Sequence, residues 1–405
     1  MSKLRSPLLA IFLIVLVDIL GLTIILPLLP FYAEKYGGSP AIYGVLVSTY
    51  ALCQLISGPM LGHISDRTGR KPLLLVSQVG TFIGFLILAF AQSIGMIFLS
   101  RVIDGMTAGN LSLAQAYISD VTEPKNRAKA FGVIGISFGI GFLIGPAISG
   151  FLSQYGYQYP PLAAAALSFT SIMGTTFLLP AVSRTQESAE DKKKTSIIEA
   201  VFHWKNYFPF FKNPATRRLL IQFFLFALSF AMFISGMALF CERRFSAHGH
   251  PFGPKEVGYL FAFSGLLGIF IQGGLLGRMV KKFGEAKMVL VSFTAMGLGY
   301  GLLTFPRSVP FLLVVLALSG FGSGVVRPVL TSLITQAADR NQQGVILGLN
   351  QSLNAIAQII GPLISGALIS LGYLEVWPWA TAVGALIASL MAIALVRNHQ
   401  ATSKT

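Results

Sequence analysis

Apolar stretches of about twenty residues recur along this chain from one end to the other, and that recurrence leaves few folds open. A helix rises 1.5 Å per residue, so about twenty residues cover the roughly 30 Å hydrocarbon core of a bilayer. Twelve such stretches can be placed, at 8-30, 41-62, 73-92, 94-119, 131-154, 160-181, 218-241, 255-277, 287-305, 309-335, 344-370 and 374-397. Lipid cannot bond to a bare backbone, so each is expected as a helix and the chain as an all-α membrane protein of twelve transmembrane helices. Only 11% of the 405 residues are charged, where a soluble protein carries charge on about a quarter. The first stretch follows Lys3 and Arg5, as a signal peptide would, but it holds Asp18 and Pro27 and ends in LPLLP without a small-residue cleavage site. It is expected to stay as a span.

The net charge of +15 is distributed as a membrane topology rather than as a nucleic-acid surface. With the N-terminus inside, the inner segments hold Lys3, Arg5, Arg67, Arg70, Lys71, Lys125, Arg127, Lys129 and a run of basic residues between 184 and 218, while the outer ones hold Lys35, Arg243, Arg244, Lys255 and Arg307. That asymmetry predicts both termini in the cytoplasm. Cys53 and Cys241 stand alone in apolar context and read as packing.

Residues 182-217 form the one long polar stretch, expected as a cytoplasmic linker with a short surface helix near Ile197 to Phe211. It separates a six-helix bundle at 1-181 from a second at 218-397, followed by a tail at 398-405. The halves echo each other. GHISDRTGRKPLLL at 62-75 is answered by GRMVKKFGEAKMVL at 277-290, and IGPAISGFLSQYGY at 144-157 by IGPLISGALISLGY at 360-373. Two ordered matches at nearly one spacing indicate a duplicated unit, the plan of transporters that bind near mid-membrane between repeats.

These residues resemble the major facilitator superfamily along the whole chain. GHISDRTGRKP has the form of that family's loop between spans 2 and 3, SRVIDGMTAGN of its span 4 motif R-x-x-x-G, and GISFGIGFLIGPAISG of its span 5 antiporter signature. VDILGLTIILPLLP and AYISDVTEPKNRAKAFG are most similar to the tetracycline-exporter branch of the proton-coupled drug exporters. The resemblance implies two pseudo-symmetric bundles with both termini cytoplasmic, in a bacterial inner membrane. Exporters of tetracycline itself are expected to carry acids inside spans 3 and 9, whereas QVGTFIGFLIL and VLVSFTAMGLGYG have none.

Several polar residues lie too deep to be incidental. Asp18 is roughly 15 Å into span 1, where an ionised carboxylate costs at least ~2.5 kcal/mol, so it must face protein or water. It reads as a proton-coupling carboxylate, or else as an acid that fixes packing. Arg101 and Asp104 share a face of span 4, forming either a proton switch that works when helices part or a static pair whose charges cancel. At the inner face, Gly62, Asp66, Arg67, Gly69, Arg70 and Lys71 are expected to gate: Asp66 capping a helix of the second half, Arg70 reaching Asp120, the whole acting as a latch. The plain alternative is a positive-inside anchor. Gly139, Gly145, Pro146 and Gly150 offer a small-residue face on span 5, expected to seal the inner end of a cavity. Substrate contacts are expected from Gln54, Asn110, Gln115, Gln272, Arg327, Asn350, Asn354 and Gln358, although interhelical hydrogen bonding accounts for many such groups. Arg327, the other cation deep in a span, suits an anionic group or a countercharge.

The function this supports is a proton-coupled antiporter exporting amphipathic, drug-like compounds by alternating access, acting as a monomer. A metabolite exporter or importer for a sugar, siderophore or organic anion stands as the alternative, and a non-transporting scaffold or sensor behind it. No nucleophile with a base partner, metal-ligand spacing or phosphate loop points to an enzyme, a cofactor or a metal.

Overall fold

A computed structural model describes residues 7–122, 127–180, 204–247, 249–305, 308–338 and 342–402. Most of the polar linker, at 181–203, and part of the basic loop after span 4, at 123–126, lie outside the described residues.

Every apolar stretch falls on a helix or a helix pair. The first half comprises α1 (Pro7–Ile25), α2 (Leu29–Lys35), α3 (Pro40–Thr68), α4 (Arg70–Ala89), α5 (Ile94–Met106), α6 (Asn110–Val121), α7 (Arg127–Leu152) and α8 (Tyr159–Leu178). After the short α9 (Trp204–Lys212) come α10 (Pro214–Arg244), α11 (Pro254–Phe270), a π-helical turn at Ile271–Leu275, α12 (Leu276–Phe283), α13 (Glu285–Leu302), α14 (Val309–Gln336), α15 (Gln343–Ser370) and α16 (Val376–Thr402). Among the described residues eight helices are long and apolar enough to cross a membrane, or nine if α1 and α2 form one bent span. Phe177, Leu390 and Val314 are 77%, 68% and 64% exposed. Such surfaces suit lipid and not water.

Two of the expected spans are broken, each for a local reason. The first bends by 43° between α1 and α2, at Pro27, whose ring removes a donor and clashes with the preceding turn. The fourth stops at Thr107 and resumes at Asn110. Ser77 of α4 closes that gap: its hydroxyl donates to the Thr107 carbonyl and accepts the Gly109 N–H at 2.9 Å. Backbone groups freed inside lipid need such a partner.

The chain divides into two compact units, one of residues 1–38, 49–203 and 254–265, the other of 39–48, 204–253 and 266–405. In the first, α1 packs on α7 and α8, and α4 on α5 and α8; in the second, α10 packs on α15 and α16, and α13 on α14 and α16. These pairings match span for span, so the duplication read from two short echoes extends to the packing. It reaches the connecting loops as well. Arg70 pairs with Asp120 in the first half, and Glu285 accepts from Ser332 and Gln336 in the second.

Close packing rests on small residues, because lipid tails supply no hydrophobic drive between helices. A Cβ added at Gly145 would run into Thr23 of α1, and one at Gly299 would sit 2.7 Å from Ser319. Around Gly58 nothing lies within 4 Å of such an atom. Gly145→Leu is expected to lower the yield of folded, monodisperse protein and its thermal midpoint by several degrees, while Gly58→Ala leaves both unchanged in detergent size-exclusion and thermal-unfolding measurements.

Candidate functional site

In the first unit the deep polar residues come together around one acid–base pair. Arg101 and Asp104 are each 4% exposed, with Nη1 3.2 Å from Oδ2. Helical spacing puts them on one face, and glycines bring the neighbours in. A Cβ on Gly84 would lie 3.0 Å from that of Asp104, and one on Gly105 would lie 2.8 Å from the Tyr50 carbonyl. Gly105 is the glycine of R-x-x-x-G, and Ser57 donates to its carbonyl at 2.8 Å. The motif's spacing therefore seats α3 directly against the buried pair. Thr81 also bonds Asp104, Arg101 Nε reaches Ser100 Oγ at 3.2 Å, and its guanidinium stands 5.9 Å over the Phe85 ring. Arg101 Nη2 is buried with no partner among the described residues, so part of the guanidinium fork is held in reserve.

Asp18 belongs to the same cluster through residues that the sequence reading passed over. Ser171 of α8 donates to Asp18 Oδ1 at 3.1 Å, and Gln78 of α4 donates through Nε2 to Ser171 Oγ at 2.9 Å. Because the glutamine N–H occupies an oxygen lone pair, the serine proton is left to point at the carboxylate. Ser168 in turn bonds the Gln78 carbonyl at 3.3 Å. Tyr50 lies within electrostatic reach of Asp18, Arg101 and Asp104, and Gln54 approaches its hydroxyl at 3.5 Å. A signal existed: Ser168, Ser171 and Thr175 recur at helical spacing on one face of α8, as do Ser77, Gln78 and Thr81 in α4, and all six are buried.

The cluster holds two carboxylates and one guanidinium. One added proton makes it neutral, and the α8 serine joins Asp18 to a third helix, so the carboxylate is also an interhelical contact. Asn110, at the start of α6, keeps its Oδ1 buried without a partner among the described residues, and Gln115 is half-buried and engaged.

The loop motif forms a second, surface constellation. Gly69 adopts φ +95° between α3 and α4, a backbone shape that other residues resist. That turn lets Arg70 reach Asp66 at 2.6 Å, Asp120 at 3.0 Å and Ser65 Oγ at 2.5 Å. The expected Arg70–Asp120 contact is formed, and Asp66, near the end of α3, bonds Arg70, the first residue of α4, across the Gly69 turn. Lys71 has an unforeseen place: its Nζ takes the Thr176 and Leu179 carbonyls at 2.8 and 2.7 Å, closing the C-terminal end of α8. Arg67 is exposed, and Gly62 offers its carbonyl to Arg70 at 3.5 Å.

The span 5 glycines meet two different helices. Gly145 faces Thr23 of α1, while Gly150 and Pro146 meet Pro254, Lys255 and Gly258. Those contacts lie toward the end of α7 away from Asp66 and Asp120, since α7 starts beside the Asp120 end of α6 and Gly150 is near its finish. Gly139 is half-buried.

In the second unit Gln272 sits in the π-helical turn with its side chain exposed, Asn354 and Gln358 are half-buried, and Arg327 is exposed. Asn350 is 4% exposed, with neither amide atom partnered among the described residues. Gln222 donates to the Ala388 carbonyl at 3.1 Å and so serves packing. On the same helix, α10, Phe226 stacks on Phe230, and Phe233 stacks on Tyr300 of α13.

With this geometry in view, the sequence profile of the Major Facilitator Superfamily matches residues 11–278 and 252–405. The class B tetracycline resistance protein of Escherichia coli is 32% identical over 90% of this chain and 90% of its own length. Multidrug resistance protein 2 of Bacillus subtilis is 26% identical over 88% and 87%. Among solved structures, that of the nucleoside transporter NupG superposes with a TM-score of 0.75 at 15% identity, covering 97% of this chain and 99% of NupG, a likeness of fold.

Removing one member of a buried ion pair typically costs about 3–5 kcal/mol, whereas replacing both can be near neutral. Arg101→Gln is therefore expected to reduce folded yield sharply, and Arg101→Gln with Asp104→Asn to restore it. Fluorescence-detected size exclusion of the three proteins checks this, and equal losses in the single and double variants would refute it.

Proposed function

Because this chain belongs to the Major Facilitator Superfamily, a family of membrane transporters and not of enzymes, we propose that it is a proton-coupled antiporter of a bacterial inner membrane that exports amphipathic, drug-like compounds by alternating access. Twelve spans, with both termini in the cytoplasm, are the topology that the duplicated packing and the charge asymmetry support. The observation that carries the coupling is the cluster of Asp18, Arg101 and Asp104, with its one carboxylate in excess. Relatives whose names mark them as tetracycline and multidrug resistance proteins support the export of drug-like cargo.

In this reading Asp18 takes a proton when the cluster opens outward and releases it when it opens inward. Ser171 and Gln78 register the change: a neutral carboxyl no longer requires the serine proton, and the link between α1, α4 and α8 loosens. Arg101 holds Asp104 in place throughout, or releases it as the second step of the switch. Each proton entering down a 100 mV potential supplies about 2.3 kcal/mol, before any pH difference, for cargo moving the other way. At the membrane face, Arg70 with Asp66 and Asp120 acts as a latch between states, positioned by Gly69. The missing acids of spans 3 and 9 argue against tetracycline itself as the main cargo. The protein is expected to work as a monomer, its partners being cargo, protons and lipid.

Asp18→Asn keeps the hydrogen-bonding shape and removes the titrating group. In proteoliposomes with an imposed pH gradient, export by this variant is expected to fall below about a tenth of the wild-type rate, a barrier change of some 1.4 kcal/mol or more, while cargo binding in detergent is retained. Full gradient-driven transport by Asp18→Asn would sink the coupling assignment. Ser171→Ala is expected to give an intermediate rate.

A further inference from the structure

Arg327 is a charge that the rest of its unit does not answer. The acids of that unit among the described residues are Glu242, Glu285 and Glu375, all near helix ends and all engaged: Glu242 with Arg243 at 2.8 Å, Glu375 with Arg244 at 3.4 Å, and Glu285 with Ser332 at 2.7 Å. No hydrogen bond or ion pair involves the Arg327 guanidinium among the described residues, and the side chain is exposed rather than buried. It lies about 14 Å from the Gln336 end of α14 at 1.5 Å per residue. An arginine at such depth must meet water or an opposite charge.

Its surroundings are built for access. Gly324, one turn before Arg327, lies beside Ile271 of the π-helical turn, its hypothetical Cβ 3.9 Å from Ile271 Cγ2. In that turn Gln272, Gly273 and Gly274 are exposed, and a Cβ on either glycine, or on Gly320 of α14, would find nothing within 4 Å. A π turn bulges the backbone and often marks a functional site. Gln272 and Asn350 stand about 16 and 11 Å from the same end of their helices, hence at the level of Arg327, and the Asn350 amide has no partner among the described residues.

We propose that Arg327, with the Gln272 amide, forms a site for an anionic group, so that the exported compounds include amphipaths bearing a carboxylate, sulfonate or phosphonate. This rests on the export reading above and adds the charge of the cargo. A guanidinium takes such groups through two parallel hydrogen bonds, and the open glycine turn leaves room for the apolar body.

The test uses two xanthene dyes of similar shape, fluorescein as the anion and a rhodamine methyl ester as the cation, with full-length protein and its Arg327→Gln and Arg327→Lys variants. Binding in detergent is read by fluorescence anisotropy on monodisperse fractions. Fluorescein is expected to bind wild type, to weaken about tenfold or more in Arg327→Gln, and to recover substantially in Arg327→Lys, while the rhodamine ester binds Arg327→Gln at least as well as wild type. Unchanged fluorescein affinity in Arg327→Gln, equal loss of both dyes, or no fluorescein binding by wild type would overturn the site. Flux of the dyes in proteoliposomes under a pH gradient is scored separately: selective binding without flux overturns the export reading and leaves the anion site standing, whereas flux of the cation alone overturns the anion site.

Discussion

Hydrocarbon offers a peptide N–H nothing to bond to, and several departures of this chain from a straight apolar helix answer to that constraint. Where α5 gives way to α6, Ser77 supplies both the donor and the acceptor that the broken turn needs. Where Lys71 follows the loop motif, its ammonium takes the last carbonyls of α8. Where Arg101 and Asp104 enter the bundle, each brings a partner for the other, with Thr81 and Ser100 as further support. The polar residues inside this protein are thus first a condition of its insertion, and a few, such as Arg101 and Asn350, keep buried atoms without a partner among the described residues.

That distinction separates the two halves. Packing repeats between them, helix pair for helix pair, but the ionisable chemistry does not. The first half concentrates two carboxylates and an arginine on the interior faces of α1 and α5, wired to α4 and α8 through Gln78 and Ser171. The second half carries Arg327 in the unit that holds the glycine-lined π turn, with no partner for its guanidinium among the described residues. Duplication supplied one scaffold twice, and substitution at a few interior positions gave one copy two carboxylates beside an arginine and the other an arginine whose guanidinium has no hydrogen-bond or ion-pair partner among the described residues.

Much of the fold was legible in advance, because a helix that must span lipid announces itself by length and composition alone. The loop motif was also legible: Gly69 and Arg70 are close in sequence, and their geometry follows from one tight turn. The Asp18 network was less so. Ser171 lies more than 150 residues from Asp18, and a serine in an apolar helix looks the same whether it bonds its own backbone or another helix's carboxylate. The bend at Pro27 had a visible cause, whereas the break at Thr107 and the π turn at Gln272 had none strong enough to read, since both depend on which neighbour meets the freed backbone groups.

By itself the sequence determined that this chain lives in a membrane, that it is a tandem duplication, and that Asp18, Arg101, Asp104 and Arg327 lie deep within apolar spans, since transfer cost and helical rise depend only on residue type and count. Only the tertiary structure decided which of these charges are answered. Arg101 met its aspartate, Asp18 met a serine held by a glutamine, and the Arg327 guanidinium met no partner among the described residues. Partnership between side chains depends on packing across helices that are distant in sequence, where glycines such as Gly84 and Gly105 set the approach, and no local pattern encodes that distance.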